Sequence, residues 1–150
     1  MIRLEPFPAA LHHAVIDGSF AARSGLAVAP DWPNVELREA LPFLAGLAEA
    51  SPGWSFLIVE DGTVVGEIGL KGPPRHGVAE VGYGVCTSRR GRGCASTALA
   101  LLIERVRGPV RELTAETMTG NTASERVLAR AGFVPVKREP ERTWWYLDLV

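Results

Sequence analysis

Cysteine is scarce in this chain: Cys86 and Cys94 are the only two. They form no Cys-x-x-Cys pair and have no neighbouring histidine, so neither a disulfide framework nor a metal site is expected. Long apolar runs are missing as well. The longest, Ala98-Leu-Ala-Leu-Leu-Ile103, is far too short to cross a bilayer, and the first residues carry no signal-peptide core. Charge of one sign is also lacking. Lys and Arg number 16 against 17 Asp and Glu, for a net charge of −1, which gives no global field to steer the chain onto nucleic acid or an anionic membrane. No internal repeat, low-complexity tract or linker divides the sequence. The expectation left by these absences is a reduced, cytoplasmic, single-domain protein over residues 1–150, with no metal, nucleic-acid or membrane partner.

What is present is an ordinary globular balance, 47% hydrophobic and 22% charged, arranged in a readable order. Ile2–Leu4 reads as a short strand, and a helix opening near Pro8 runs to Asp17. After the Asp17-Gly18-Ser19 break, Phe20–Leu26 reads as a second short helix, and Ala29–Asn34, with two prolines, as a loop. Asn34 is placed to cap a helix carrying Leu37, Leu41, Leu44 and Leu47 at helical spacing. From Trp54 the period changes. Trp54–Val59 and Thr63–Leu70 read as a hairpin, Lys71–Gly77 as a long turn, and Val78–Cys86 as a strand interrupted by Gly82 and Gly84. Such glycines suggest a bulge or a close backbone approach, or else packing against a helix. A helix over Arg92–Val106, a strand over Glu112–Glu116, a helix over Asn121–Ala131 and strands over Phe133–Lys137 and Thr143–Leu149 complete the chain. The pattern predicts an α/β (α+β mixed) fold, a mixed sheet with helices on both faces.

The densest chemistry lies in Ser88-Arg-Arg-Gly-Arg-Gly-Cys-Ala-Ser-Thr97, between a strand and a helix. Gly91 and Gly93 let the backbone approach a ligand and turn its N–H groups outward. The helix start adds unpaired donors and a partial positive charge, and Arg89, Arg90 and Arg92 can add charge-assisted contacts to phosphate oxygens. A cofactor diphosphate suits this turn. A solvated basic turn is the plain alternative. The Gly91-x-Gly93-x-x-Ser96 spacing also approaches a dinucleotide fingerprint but lacks the third glycine and a parallel βαβ start, and no Gly-Lys-Ser/Thr follows for a P-loop.

Arg90-Gly-Arg-Gly93-Cys-Ala95 resembles the Gln/Arg-x-x-Gly-x-Gly/Ala motif of the GNAT acetyltransferases. Asn121-Thr-Ala-Ser124, followed at the family's spacing by Gly132-Phe133, resembles the block that comes next in those enzymes. Glu80-Val-Gly-Tyr83-Gly-Val resembles the strand leading into the cofactor turn, particularly in the ribosomal-protein alanine N-acetyltransferase branch. The blocks span about Val64 to Phe133 in order; the first fifty residues match no motif. The resemblance implies a mostly antiparallel sheet splayed between the Val78–Cys86 and Glu112–Glu116 strands, with acetyl-CoA as cosubstrate in the gap. It assigns the cosubstrate to Val85, Cys86, Thr87, Arg90, Gly91, Arg92, Gly93, Cys94, Ala95, Ser96, Asn121 and Ser124. Main-chain groups around Gly84–Cys86 would pair with pantetheine and polarise the thioester carbonyl.

The implied reaction is direct attack by a primary amine, on a peptide N-terminus or a small molecule, in a monomer or homodimer. It needs a proton acceptor for the amine and a donor for the leaving thiolate. Many family members use a tyrosine seven residues after the block's Asn, but Leu128 occupies that position. Ser124 takes the donor role instead, with Asn121 on the same helix face; simple capping by Asn121 and packing by Ser124 are the alternatives. Glu67 and Glu80 are the candidate bases. Each is a carboxylate in an otherwise apolar strand, and each can equally be a solvent-side residue or bind a cationic acceptor. Tyr83 reads as a core or cofactor-wall residue, His76 as a surface group. Two further readings remain open: a non-catalytic acyl-CoA-binding module, and a nucleotide-binding domain.

Overall fold

The computed structural model describes residues 1–150. Strand β1 (Ile2–Pro6) is followed by helices α1 (Ala9–Asp17) and α2 (Phe20–Ser24), a two-residue strand β2 (Ala27–Val28) and helix α3 (Val35–Ala50). Strands β3 (Ser55–Glu60), β4 (Thr63–Leu70) and β5 (Val78–Val85) lead to helix α4 (Cys94–Val106). Strand β6 (Glu112–Met118), helix α5 (Thr122–Arg130) and strands β7 (Val134–Arg138) and β8 (Arg142–Asp148) end the chain. The sheet order is β1-β3-β4-β5-β6-β8-β7, with β2 beside β4. Only β2–β4 and β5–β6 are parallel, so the sheet is mixed and mostly antiparallel, as expected.

Local chemistry explains most boundaries. Asn34 accepts from the Leu37 N–H at 2.9 Å and caps α3. Against the sequence reading, β1 runs on to Pro6, α2 stops at Ser24 and β6 extends to Met118, and two further differences bear on the site. Helix α4 begins at Cys94 rather than Arg92, because Gly91 and Gly93 adopt φ of +75° and +80°, a conformation incompatible with helix and cheap only for glycine. Ala27–Val28 joins the sheet beside Thr63–Val64, a pairing with no local signal.

The sheet splits where expected. Strands β5 and β6 pair only from Val78–Glu112 to Glu80–Thr114, although β5 runs on to Val85 and β6 to Met118. Beyond Glu80, β5 pairs with β4 alone, Val81–Val85 against Gly66–Leu70, leaving its other edge open toward a gap. Cross-strand partners share a face, which sorts the two sides. Phe56, Ile68 and Tyr83 are in register on one face, where Arg105 of α4 lies over the Phe56 ring. Leu57, Glu67 and Gly84 are in register on the other, the side of α1 and α3. Helix α4 buries Ala98, Leu99, Leu102 and Val106, while an aromatic group of Phe7, His12, Phe20 and Trp32 packs beneath α1–α3. No helix is long and apolar enough to cross a membrane.

Candidate active site

The turn after β5 is a cradle of unpaired donors. The N–H groups of Arg89 and Arg90 close a 3-10 turn onto Cys86 and Thr87, and that of Thr97 returns to Gly93. Every N–H from Gly91 through Ser96 donates to no group of the protein. A Cβ built on Gly91 or Gly93 would meet nothing within 4 Å, so the turn is open around both glycines. A run of free N–H groups ending at a helix N-terminus binds anions through both hydrogen bonds and the helix dipole.

The arginines are only partly available to such an anion. Glu60, buried at the end of β3, accepts from Arg89 at 2.9 Å, lies 3.2 Å from Arg92, and has the Cys94 thiol 3.4 Å away. The Arg90 Nε donates to the Val85 carbonyl at 3.1 Å. Asp31 accepts from both the N–H and the hydroxyl of Ser88, at 2.8 and 2.6 Å. Those two bonds hold the Asp31 carboxyl down at about 2. The guanidinia therefore brace the turn as well as charge it. Cys86 and Cys94 are free thiols, both buried, and burial pushes both pKa values up. Thr87 opens the 3-10 turn.

Strand parity decides which main-chain groups face the gap. The Cys86 N–H donates to the Val65 carbonyl and the Lys71 N–H to the Glu80 carbonyl. Glu80, Gly82, Gly84 and Cys86 therefore direct their main-chain groups at β4, and Val81, Tyr83 and Val85 direct theirs into the gap. The expectation of main-chain groups around Gly84–Cys86 divides accordingly: Val85 is gap-facing, while Gly84 and Cys86 are tied to β4. The glycines have a steric role on the other face. A Cβ on Gly84 would sit 3.2 Å from the Glu67 carboxylate, and one on Gly82 would sit 2.9 Å from Lys71 Cε.

The two carboxylates expected as bases occupy different environments. Glu80 is surface-facing and paired with Lys71 Nζ at 2.7 Å. Glu67 faces α1–α3, where its Oε2 is enclosed and has no hydrogen-bond partner. Desolvation pushes its pKa up to about 8, with a smaller opposing effect from its own backbone N–H and the Trp32 indole. The indole lies near but makes no well-aligned hydrogen bond, since Trp32 Nε1 is itself buried and unpartnered. Glu67 borders a cleft of about 420 Å³ walled by Phe7, His12, Leu37, Leu44 and Lys71.

Across the sheet, Tyr83 meets α5. Its hydroxyl lies 2.9 Å from Ser124 Oγ, and burial pushes its pKa up, with the Ser124 bond acting weakly the other way. Asn121 accepts from the Ser124 N–H at 3.3 Å as the N-cap of α5. Leu128 is fully buried in the core, so its side chain belongs to packing. The Tyr83–Ser124 contact had no sequence signal beyond a lone tyrosine in an apolar strand, and the Glu60 and Asp31 anchors had none. His76 lies in the β4–β5 turn, with φ of +53°. No group of three His, Cys, Asp or Glu side chains is arranged to hold a metal ion.

The sequence model of the Acetyltransferase (GNAT) domain matches residues 9–134. The chain belongs to the GNAT acetyltransferase family. No curated protein matches it. Among solved structures it is similar to Mycobacterium smegmatis RimJ in complex with CoA-disulfide, at 24% identity and a TM-score of 0.69, covering 98% of this chain and 81% of that one. It is similar to Campylobacter jejuni N-acetyltransferase PseH in complex with acetyl coenzyme A, at 19% identity and 0.67, covering 99% of both chains. It also resembles the ribosomal-protein-S5-alanine acetyltransferase of Vibrio fischeri, at 15% identity and 0.67, covering 98% and 92%.

Proposed function

We propose that this chain is an acetyl-CoA-dependent N-acetyltransferase acting by direct attack of a primary amine. The observation that carries the reading is the unbroken run of free N–H groups from Gly91 to Ser96, set at the mouth of the β5–β6 gap. That cradle suits a diphosphate, and the gap-facing main chain of Tyr83 together with the Val85 N–H suits an extended arm bearing amides. Bound there, acetyl-CoA supplies an acyl group activated as a thioester.

The protein's own groups then divide the proton work between the two faces of the sheet. On the α1–α3 face, Glu67 in its ionised form, whose share grows as pH rises through about 8, takes a proton from the ammonium, and the neutral amine then attacks the acyl carbon; a carboxyl near 8 is a far stronger base than an ordinary one. On the α5 face, the Ser124 hydroxyl, hydrogen-bonded to Tyr83, donates to the sulfur as the C–S bond breaks, and the proton shed by the nitrogen as it becomes an amide restores the hydroxyl through solvent. Glu80, held by Lys71, takes no part. The free, buried thiols of Cys86 and Cys94 suit a cytoplasmic setting. The similarity to the ribosomal-protein-S5-alanine acetyltransferase supports a protein amine as one acceptor class.

The test is twofold. Acetyl-CoA at a hundredfold its Kd stabilises by about 2.7 kcal/mol, a rise in Tm of about 5–11 °C for a chain this size, and thiol release should follow when an amine is added. Stabilisation by NAD but not by CoA would overturn the assignment. Tight binding of acetyl-CoA without thiol release toward any amine would favour the non-catalytic module.

A further inference from the structure

Beside the cleft at Glu67 lies a second cavity of about 150 Å³, between the β1–α1 junction, the C-terminal half of α3 and the start of β3. The two share Phe7, His12, Leu44, Ser55 and Leu70 as walls, so they adjoin. The sheet between them is built of glycines, with the Glu67 carboxylate against Gly84, the Lys71 stem against Gly82 and the Trp54 carbonyl against Gly69. Gly84 stands beside Glu67, and Gly69 and Gly82 lie in register with each other beside Ser55. The side cavity is walled by Leu47, Ala48, Trp54 and Phe56 in addition. No acidic, lysine or arginine side chain lines it. Its one titratable group is His12, which is buried, stacked on Phe7 at 3.8 Å and bonded through Nδ1 to the Pro8 carbonyl. Desolvation lowers its pKa, so it stays neutral at pH 7.

Resting on the acetyltransferase reading, we infer that the acceptor is a primary amine carried on an uncharged apolar body, the amine at Glu67 and a group about the size of a benzene ring in the side cavity. Charge and volume both lead there. In the main cleft the only carboxylates are the enclosed Glu67 and the exposed Glu36 at the first turn of α3, and Lys71 is already paired with Glu80. The inner end offers a second cation nothing, and burying an unpaired charge there is costly. An apolar cavity of this volume holds a ring such as benzene. An arylalkylamine and a peptide whose N-terminal residue is Phe or Leu share this chemistry.

The experiment uses the full chain saturated with CoA for equilibrium binding of amines, and acetyl-CoA with a thiol-release readout for turnover. The probes are n-alkylamines from propyl to octyl, phenethylamine, spermidine, and tripeptides beginning with Phe, Leu, Ala or Lys. At about 0.8 kcal/mol per buried methylene, affinity should rise about three- to fourfold per methylene until the side cavity is filled. Phenethylamine should exceed propylamine by more than tenfold, and Phe- or Leu-led peptides should exceed Ala- and Lys-led ones. Ala48→Phe, and the milder Ala48→Leu, fill the cavity and should flatten the series. Affinity that is flat with chain length, or highest for spermidine or the Lys-led peptide, overturns the inference even if acetyl transfer proceeds. A rising series in binding with no thiol release upholds the apolar site and overturns the acetyltransferase reading.

Discussion

Replacing Glu67 by Gln should stabilise this protein while removing its base. The carboxyl titrates near 4.5 when solvated but near 8 in the fold, because burial penalises its charge. Between those values the folded chain holds a proton that the unfolded chain has released. Stability therefore falls as pH rises through this window. At about 1.4 kcal/mol per pH unit, the cost is negligible near pH 4.5, about 3 kcal/mol at pH 7 and about 5 kcal/mol above pH 8. An amide carries no such cost at any pH. Whatever fixed cost Gln incurs by leaving its amide poorly bonded is independent of pH. The quantity to measure is thus the difference in unfolding free energy between Glu67→Gln and the parent, by denaturant titration from pH 4.5 to 8.5. Subtraction also cancels His12, whose lowered pKa produces the opposite slope at low pH in both proteins. The difference should move in favour of the variant by about 3 kcal/mol between pH 4.5 and 7, which is about 6–12 °C in Tm at this size. Parallel stability curves for the two proteins would refute the burial argument and with it the elevated base.

The same ionisation should shape catalysis: kcat/KM for an amine should rise with pH through about 8, and this limb should be missing from the residual activity of Glu67→Gln. Ser96→Glu should fold normally, since a carboxylate in the first turn of α4 suits the helix dipole, yet lose CoA affinity at least tenfold by placing negative charge among the free N–H groups; unchanged affinity measured by calorimetry would move the phosphate site elsewhere. Ser124→Ala should lower kcat tenfold to a hundredfold with little change in CoA affinity, and Tyr83→Phe should lower it less, because Tyr83 acts through Ser124. A kcat unchanged in Ser124→Ala, with chemistry shown to limit turnover, would remove the hydroxyl from the reaction.

What the sequence determined by itself were features whose partners are near in the chain. Helix α3 is legible because Asn34 caps its own third residue along and its leucines recur at helical spacing. The phosphate turn is legible because its donors, from Gly91 to Ser96, are consecutive and need only two glycines to turn them outward. Tertiary structure decided the rest. Alternation along β4 showed that Glu67 lies opposite Ile68, but not that its face would be roofed by α1–α3, and that roof is what withholds water and raises the pKa. Glu80, also a carboxylate set in an apolar strand, reached solvent and Lys71 instead. The Tyr83–Ser124, Asp31–Ser88 and Glu60–Arg89 contacts join residues 41, 57 and 29 positions apart. Such contacts have no periodicity to betray them, because they arise from how the sheet and helices stack and not from any preference of the chain between them.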